Sequence, residues 1–575
     1  MTERPAHATT TTSSPELAWA TGALAAVLAL AWAAPTATAW LHDGTLIAPT
    51  DAIRGSVRMI SAHDWRQPSL AYPAAAAAHM PTGPAWWTAA SWAIGTLVTL
   101  GIGLWRRVQG VTGQSTLGRR PGTLTGSRPR SWARGRDLPN LSVARRTPDR
   151  FTLGRLDGAL LASEPETHVA VIAPTRSGKT TRFVIPWLLE HDGPAIITST
   201  KTDVLHATRD WRTWQGRVTV WDPFGPYSDP WTPLSGCTDW QHALAQARWL
   251  ADASQEGDSE VANFWRGEAT RLLAPLLHAA ALADGNITHV LAWIDRQDIK
   301  GPAEILDTAA AVAAKFQLAG IASLDPRNRG TIYMSAGALL AGYRLPAVQA
   351  TATHGLTPQR FLDGQANTLY LIASSRQQRL LAPLTVAIIS GMLHEAAEQA
   401  NTSGPLAPTL RVLLDETANI APLQDLPSHL SQAAGQGVRI ATIWQSLSQA
   451  QHRYGLASEE ILANSTTKLY LGPVTDTTTR RHITELLGEE HVDQASISTG
   501  RPHRSQTTSR TWRPKATASA LQQLDYDRAL LVAGRKMPAV IRTKPWWDEP
   551  QLRRRGTDGS TRQHFLGDRR TSKQP

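Results

Sequence analysis

Apolar and polar positions divide the chain into distinct regimes. Residues 17–41 and 67–105 contain no Asp, Glu, Lys or Arg. Within them, residues 17–39 and 86–105 are long and apolar enough to cross about 30 Å of hydrocarbon as helices. Trp19, Trp32 and Trp40 on the first, and Trp86, Trp87 and Trp105 on the second, lie where interfacial aromatics are expected. From residue 145 to 547 the pattern changes to short apolar runs alternating with longer mixed stretches, as helices layered on a parallel sheet require. Strands are predicted at 169–173, 195–198, 218–221, 368–373, 411–414, 437–444 and 468–471, and helices at 384–400 and 480–487. Residues 236–345 lack strand patterning and are rich in helix formers, which predicts an all-helical insertion splitting one α/β domain into 145–235 and 346–547.

Charge gives the two apolar stretches a direction. Residues 106–150 carry eleven arginines against two aspartates, and the whole chain has a net charge of +11. Positive residues stay on the cytoplasmic side, so two transmembrane helices within a 1–107 anchor would leave residues 42–85 as a small outer loop. Everything from residue 106 onward would be cytoplasmic, in a multi-pass protein of the cell membrane. Ala37-Thr38-Ala39 also resembles a signal-peptidase site, but the leader before it is long and hardly positive, and a retained anchor is the reading adopted. Residues 108–144 read as a basic linker without a packed core, and 548–575 as a polar basic tail. The basic block suits anionic lipid or nucleic acid, and composition does not choose between them. A chain of 575 residues holds several domains, and its single cysteine, Cys237, excludes an intrachain disulfide.

The candidate chemistry lies where the 169–173 strand turns into a helix. Ala173, Pro174, Thr175, Arg176, Ser177, Gly178, Lys179, Thr180 and Thr181 form a nucleotide-binding phosphate loop, although Ala173 stands where the usual pattern has its first glycine. Such a loop turns successive backbone N–H groups inward at a helix N-terminus, a setting made for phosphate oxygens. Lys179 can reach the β and γ phosphates of ATP, and the Thr180 hydroxyl can hold Mg²⁺. The strand at 411–414 ends in Asp415 and Glu416, and is expected beside the strand that leads to the loop. Asp415 is assigned to the metal and Glu416 to the general base. Gln445, at the end of the next strand, is the candidate sensor of the γ-phosphate.

The order of these features resembles one family, the TraG-like coupling ATPases of bacterial conjugation and type IV secretion. Leu153-Gly154-Arg155, Ala173-Pro174-Thr175-Arg176-Ser177-Gly178-Lys179, Asp222-Pro223-Phe224, Trp231-Thr232-Pro233-Leu234, Phe264-Trp265, Asp415-Glu416, Gln445-Ser446 and Leu487-Gly488 carry the resemblance across most of 145–547. Two departures stand out. Ser199-Thr200-Lys201-Thr202-Asp203 replaces an Asp-x-Lys-Gly-acid motif, and Thr232 replaces an asparagine.

The resemblance implies a RecA-like P-loop NTPase core that assembles as a homo-hexamer on its membrane anchor. It implies ATP hydrolysis coupled to feeding relaxase-bound single-stranded DNA, or protein, into inner-membrane secretion channel proteins. It further implies an arginine acting from a neighbouring subunit, with Arg376, Arg379, Arg480 and Arg481 as candidates. Three rivals remain at this level: an FtsK-like double-strand DNA translocase, a membrane receptor that keeps the ATP fold for docking alone, and an ATPase exporting only protein. The first should carry a C-terminal winged helix, which the polar 548–575 does not resemble. The second has no use for an intact set of Lys179, Thr180, Asp415 and Glu416.

Overall fold

The computed structural model describes residue 32 and residues 35–62, 67–81, 83–91, 132–253, 260–499 and 504–556. It divides into two units, Met1–Ser127 and Arg128–Pro575.

In the first unit, most of the 17–39 span, and residues 92–105 of the 86–105 span, lie outside the described residues. The segment expected as an outer loop contains more structure than a loop. A helix at Pro49–Ala62 presents Ala52 and Met59, seven positions apart, to a small core with Ala39, Ile47, Tyr72, Met80 and Trp86. Gly55 makes room for the Tyr72 ring, which a Cβ would overlap at 1.9 Å. Trp86 is buried in this cluster against Tyr72 rather than displayed, whereas Trp32 and Trp40 are exposed.

The second unit is built on a sheet of strands β1 (Ser142–Val143), β2 (Thr152–Leu156), β3 (Ala159–Ala162), β4 (Val169–Ile172), β5 (Ala195–Ser199), β6 (Val218–Trp221), β7 (Thr368–Ile372), β8 (Leu410–Leu414), β9 (Val438–Trp444), β10 (Thr467–Leu471), β13 (Arg528–Ala533) and β14 (Ala539–Arg542). A separate hairpin pairs β11 (Glu489–Thr499) with β12 (Arg504–Pro514). The sheet order is β1-β3-β2-β14-β13-β10-β4-β9-β8-β5-β7-β6. From β10 to β6 every neighbouring pair is parallel. From β10 to β1 every pair is antiparallel. Strands β4, β5, β7, β8 and β9 are buried along their whole length, as a parallel sheet covered by helices on both faces must be.

The expected α/β class and strands are present, but three sequence-based expectations are corrected. First, β8 is not beside β4; β9 lies between them. Sequence order does not dictate neighbours in a sheet with crossover connections. Second, residues 132–144 are not coreless linker. Ala133, Leu138 and Leu141 are buried with Phe151 and Leu161, and Ala133 N–H donates to the Pro538 carbonyl. Third, the start of the 548–575 tail is packed. The helix Pro550–Arg555 buries Leu552, and Arg555 donates to the Leu189 carbonyl with its guanidinium 4.7 Å from the centre of the Trp211 ring. Residues 557–575 lie outside the described residues.

Between β6 and β7 the described residues contain helices only, the longest being Glu260–Leu282. Their apolar faces join one continuous cluster with Leu369 of β7 and Leu410 of β8, so this segment shares a core with the sheet. Gln378–Ser403 is the one helix among the described residues long and apolar enough to cross a membrane, and it is largely buried inside this unit.

Candidate functional site

In a parallel sheet flanked by helices, ligands gather where the strands end at their C-terminal edge. Here β4, β9 and β8 bring their last residues to one place. Ala173 N–H donates to the Trp444 carbonyl over 2.9 Å, which sets Gln445 beside the start of the phosphate loop. Leu414 stands opposite Thr442, which brings Asp415 to the same edge.

All nine loop residues, Ala173 to Thr181, lie in the turn that leaves β4 and in the first turn of the helix beyond it. Arg176 at φ +62° and Gly178 at φ +83° adopt left-handed backbone, the geometry that turns consecutive N–H groups toward one concavity. A Cβ on Gly178 would sit 2.8 Å from Arg182 Nε. The Ser177 hydroxyl is buried and has no hydrogen-bond partner among the described residues. An orphaned buried hydroxyl inside such a nest is unusual in a folded protein and fits an oxyanion acceptor.

Lys179 and Thr180 converge on the paired acids. Lys179 Nζ forms an ion pair with Glu416 Oε1 and lies 3.6 Å from Asp415 Oδ1. Thr180 Oγ1 donates to Asp415 Oδ2 over 3.0 Å. Asp415 is itself held: Thr198 Oγ1 of β5 donates to its carbonyl over 2.8 Å, and its Oδ1 accepts the Glu416 N–H over 3.1 Å. Glu416 has φ +58°, a strained conformation for a side chain of this size, and starts the short helix Thr417–Ile420. Gln445 Nε2 donates to Glu416 Oε2 over 2.7 Å.

Electrostatics follow from this packing. Burial presses Lys179 toward its neutral form, but Asp415 and Glu416 outweigh it and hold the ammonium above its ordinary range. Burial raises the Asp415 carboxyl above the usual carboxylate range, against the pull of Lys179. The structure therefore brings every candidate together: phosphate loop, Lys179, Thr180, Asp415, Glu416 and Gln445. Thr198 was not picked out from the sequence, although a hydroxyl at the end of an apolar strand was its signal. Of the four arginines considered, Arg376 and Arg379 are exposed beyond β7, and Arg481 is exposed on the helix Thr477–Leu487. Arg480 on that helix is half-buried and donates to Gln522 and Thr477 of its own chain.

Comparison with known proteins adds an independent line. Residues 136–564 match the profile of the family described as Type IV secretory system Conjugative DNA transfer. A conjugal transfer protein TraG of Escherichia coli is 25% identical over 365 residues, covering 59% of this chain and 57% of that protein. A TraG of Agrobacterium fabrum is 23% identical over 362 residues, covering 60% of this chain and 54% of that protein. The chain thus spans little more than half the length of these curated relatives. Among solved structures, the bacterial conjugative coupling protein TrwBdeltaN70 with sulphate superposes with a TM-score of 0.56 at 18% identity, over 74% of this chain and 97% of that one. The plasmid coupling protein TrwB with the non-hydrolysable ATP analogue ADPNP gives a TM-score of 0.55 at 17% identity, over 72% and 92%. At these identities the likeness establishes the fold.

Proposed function

The chain belongs to the type IV secretory system conjugative DNA transfer family, and from that premise we propose that it is an ATP-driven coupling motor that feeds DNA into a secretion channel. One observation carries the reading. Lys179, Thr180, Asp415, Glu416 and Gln445, drawn from three strand ends across 266 positions, are mutually bonded in one half-buried place. A fold kept only as a docking platform has no need of that constellation.

The residues present fit ATP with Mg²⁺. Ser177 offers an unpartnered hydroxyl in the loop, Lys179 a fixed positive charge, and Thr180 with Asp415 a hydroxyl–carboxylate pair suited to a hydrated divalent cation. Mg²⁺ there would supply charge neutralisation of the phosphates. Lys179 would exchange its bond to Glu416 for phosphate oxygens. That frees Glu416 Oε1 to accept a proton from water, while Gln445 holds Oε2 in place. The nucleotide therefore creates its own base by displacing the lysine.

The finer reading follows the family. Residues 17–39 and 86–105 anchor the chain in the cell membrane with its bulk in the cytoplasm. The chain acts as a homo-hexamer on relaxase-bound single-stranded DNA beside inner-membrane channel proteins. Residues 236–345 form the all-helical, cargo-facing insertion.

The test is ATP hydrolysis by the full chain in lipid nanodiscs, with and without single-stranded DNA, beside Lys179→Ala and Glu416→Gln. DNA-stimulated turnover lost in both variants is expected. Wild-type turnover no higher than that of the variants would overturn the motor reading, and stimulation by duplex alone would redirect it to double-stranded DNA.

A further inference from the structure

The β11–β12 hairpin stands apart from the 12-stranded sheet as a sheet of its own. Each strand runs 11 residues, about 37 Å at the usual rise, where about 5–6 residues is ordinary. Their register is unbroken from Glu489 opposite Pro514 to Thr499 opposite Arg504. The base is pinned to the body of the unit. Gly488, at φ +66°, ends the helix Thr477–Leu487, and its carbonyl accepts the Lys515 N–H over 3.0 Å. Thr484 Oγ1 of that helix donates to the Ala516 carbonyl over 3.4 Å.

A two-stranded ribbon is marginal in water without further support, and neither face of this one supplies it. Alternation puts Val492 on one face and Ala495, Ile497 and Trp512 on the other; apart from Pro514, all remaining positions are polar or charged. What the ribbon has is two long edges. Among the described residues no third strand lies beside β11 or β12, so every second residue of each turns its N–H and C=O outward. The devices that keep such edges from pairing are missing. Neither strand contains a lysine, their register does not shift, and their one proline, Pro514, is at the base.

Charge decides what can pair there. β11 carries Glu489, Glu490 and Asp493 and no Lys or Arg, whereas β12 carries Arg504, Arg510 and Arg513 and no Asp or Glu. Within the hairpin Glu490 stands opposite Arg513, and Asp493 opposite Arg510. The outer edge of β11 therefore fits another β12, which a second copy of this chain provides. A twofold contact would set β11 against β11 or β12 against β12, with like charges opposed. Head-to-tail pairing repeats the favourable match at every contact. Hairpins side by side and pointing the same way alternate in strand direction, so the added pairs are antiparallel too.

We propose that the hairpin is a strand-pairing arm between subunits, with β11 of one copy joined to β12 of the next. The proposal rests on the ring reading above for the number of copies and on the hairpin for the contact.

Cys237 is the only native cysteine and is buried, so an engineered surface thiol reacts alone. Two differently tagged full-length chains, one Ser496→Cys and the other Thr507→Cys, are co-expressed, and isolated membranes are treated with a short bismaleimide. A cross-link joining the two tags is expected, with about tenfold less when both copies carry Ser496→Cys or both carry Thr507→Cys. Equal yields in like and unlike pairs would overturn the head-to-tail contact. A second arm exchanges the charges of one chain by Glu490→Arg, Asp493→Arg, Arg510→Asp and Arg513→Glu, which preserves its own hairpin. Cross-linking of exchanged Thr507→Cys chains to unexchanged Ser496→Cys chains should fall about tenfold, the scale of two charge pairs turned to repulsion. Exchanged chains should cross-link to each other as wild type does, and indifference to the exchange would refute charge matching across the contact. Native electrophoresis of the solubilised protein separates the two readings. A ring without the cross-link would sink the arm and leave the ring, and a chain that stays monomeric would remove both.

Discussion

Gln445 Nε2 and Glu416 Oε2 are joined over 2.7 Å, an amide donor on the end of β9 fixing a carboxylate on the end of β8. The same carboxylate is held at its other oxygen by Lys179. Glu416 is thus clamped from two sides, and only the lysine side is a group that phosphate would draw away. A bond of this kind to a charged group contributes about 1.5–3 kcal/mol. Gln445→Ala should therefore lower kcat about tenfold or more, while leaving KM for ATP within about twofold. Steady-state hydrolysis at saturating DNA checks it, and a rise in KM without loss of kcat would count against the clamp.

His168, just before β4, couples the loop strand to β9 through its ring. Ile440 N–H donates to His168 Nδ1 over 3.0 Å, which requires a neutral ring, and burial first, then the nearby Arg439 charge, pushes its pKa down to about 4. The unfolded chain binds the proton more readily, so stability should be full above about pH 6.5 and lost as pH falls toward 4. His168→Asn keeps an acceptor near the Nδ1 position without a titrating ring. Its stability should fall less than that of wild type between pH 6.5 and 4, by about 2–3 kcal/mol. Urea unfolding at a series of pH values reads the difference; parallel curves would refute it.

How legible all this was in the sequence depended on the residue. β4 is an unbroken apolar run, β8 and β9 are apolar but for Arg411, Arg439 and Thr442, and all three end in turn-forming or charged residues, as strands buried on both faces do. Asp415 and Glu416 are legible because they stand at the end of β8, and Lys179 and Thr180 because Gly178-Lys179-Thr180 follows the β4 turn. The insertion of β9 between β4 and β8 was not legible, because strand order depends on which crossover each helix takes. That error hid the contact between Gln445 and Glu416. Ala133, Leu138 and Leu141 are hard to recognise because they stand singly, or for Ala133 beside Trp132 alone, among arginines, prolines and polar positions. The β11–β12 hairpin was missed for a similar reason: its strands are mostly Ser, Thr, Gln and charged residues, with no apolar face to betray a period of two.

Arg212 ties the rim of the sheet together without touching the site. Fully buried, it donates to the carbonyls of His191, Gly193 and Ala366 and to the hydroxyl of Thr368. Arg212→Ala would strand these acceptors in the interior, and a loss of about 3–5 kcal/mol is expected. Arg212→Lys should not restore stability, since an ammonium cannot match the planar fork. Thermal unfolding of both variants checks the claim, which fails if the lysine variant melts with wild type.

In the ring assembly proposed above, geometry narrows which arginine would act from a neighbouring subunit. In a ring, the surface that completes the next subunit's site differs from the surface that holds a subunit's own, because the interface is head-to-tail. Arg480 and Arg481 follow β10, which lies directly beside β4, so they share a flank with their own phosphate loop. Arg480 is also engaged with Gln522. Arg376 and Arg379 follow β7, separated from β4 by β9, β8 and β5, and both are exposed at the strand ends. They are the pair placed to reach outward. Arg376→Ala/Arg379→Ala should bind ATP normally and lose hydrolysis by about 10³-fold, the scale of an arginine supplied in trans. Mixing it with Lys179→Ala protein should recover a fraction of activity, because some interfaces then pair an intact loop with intact arginines. Arg481→Ala should hydrolyse ATP near the wild-type rate. Loss in Arg481→Ala with retention in the double variant would reverse the assignment.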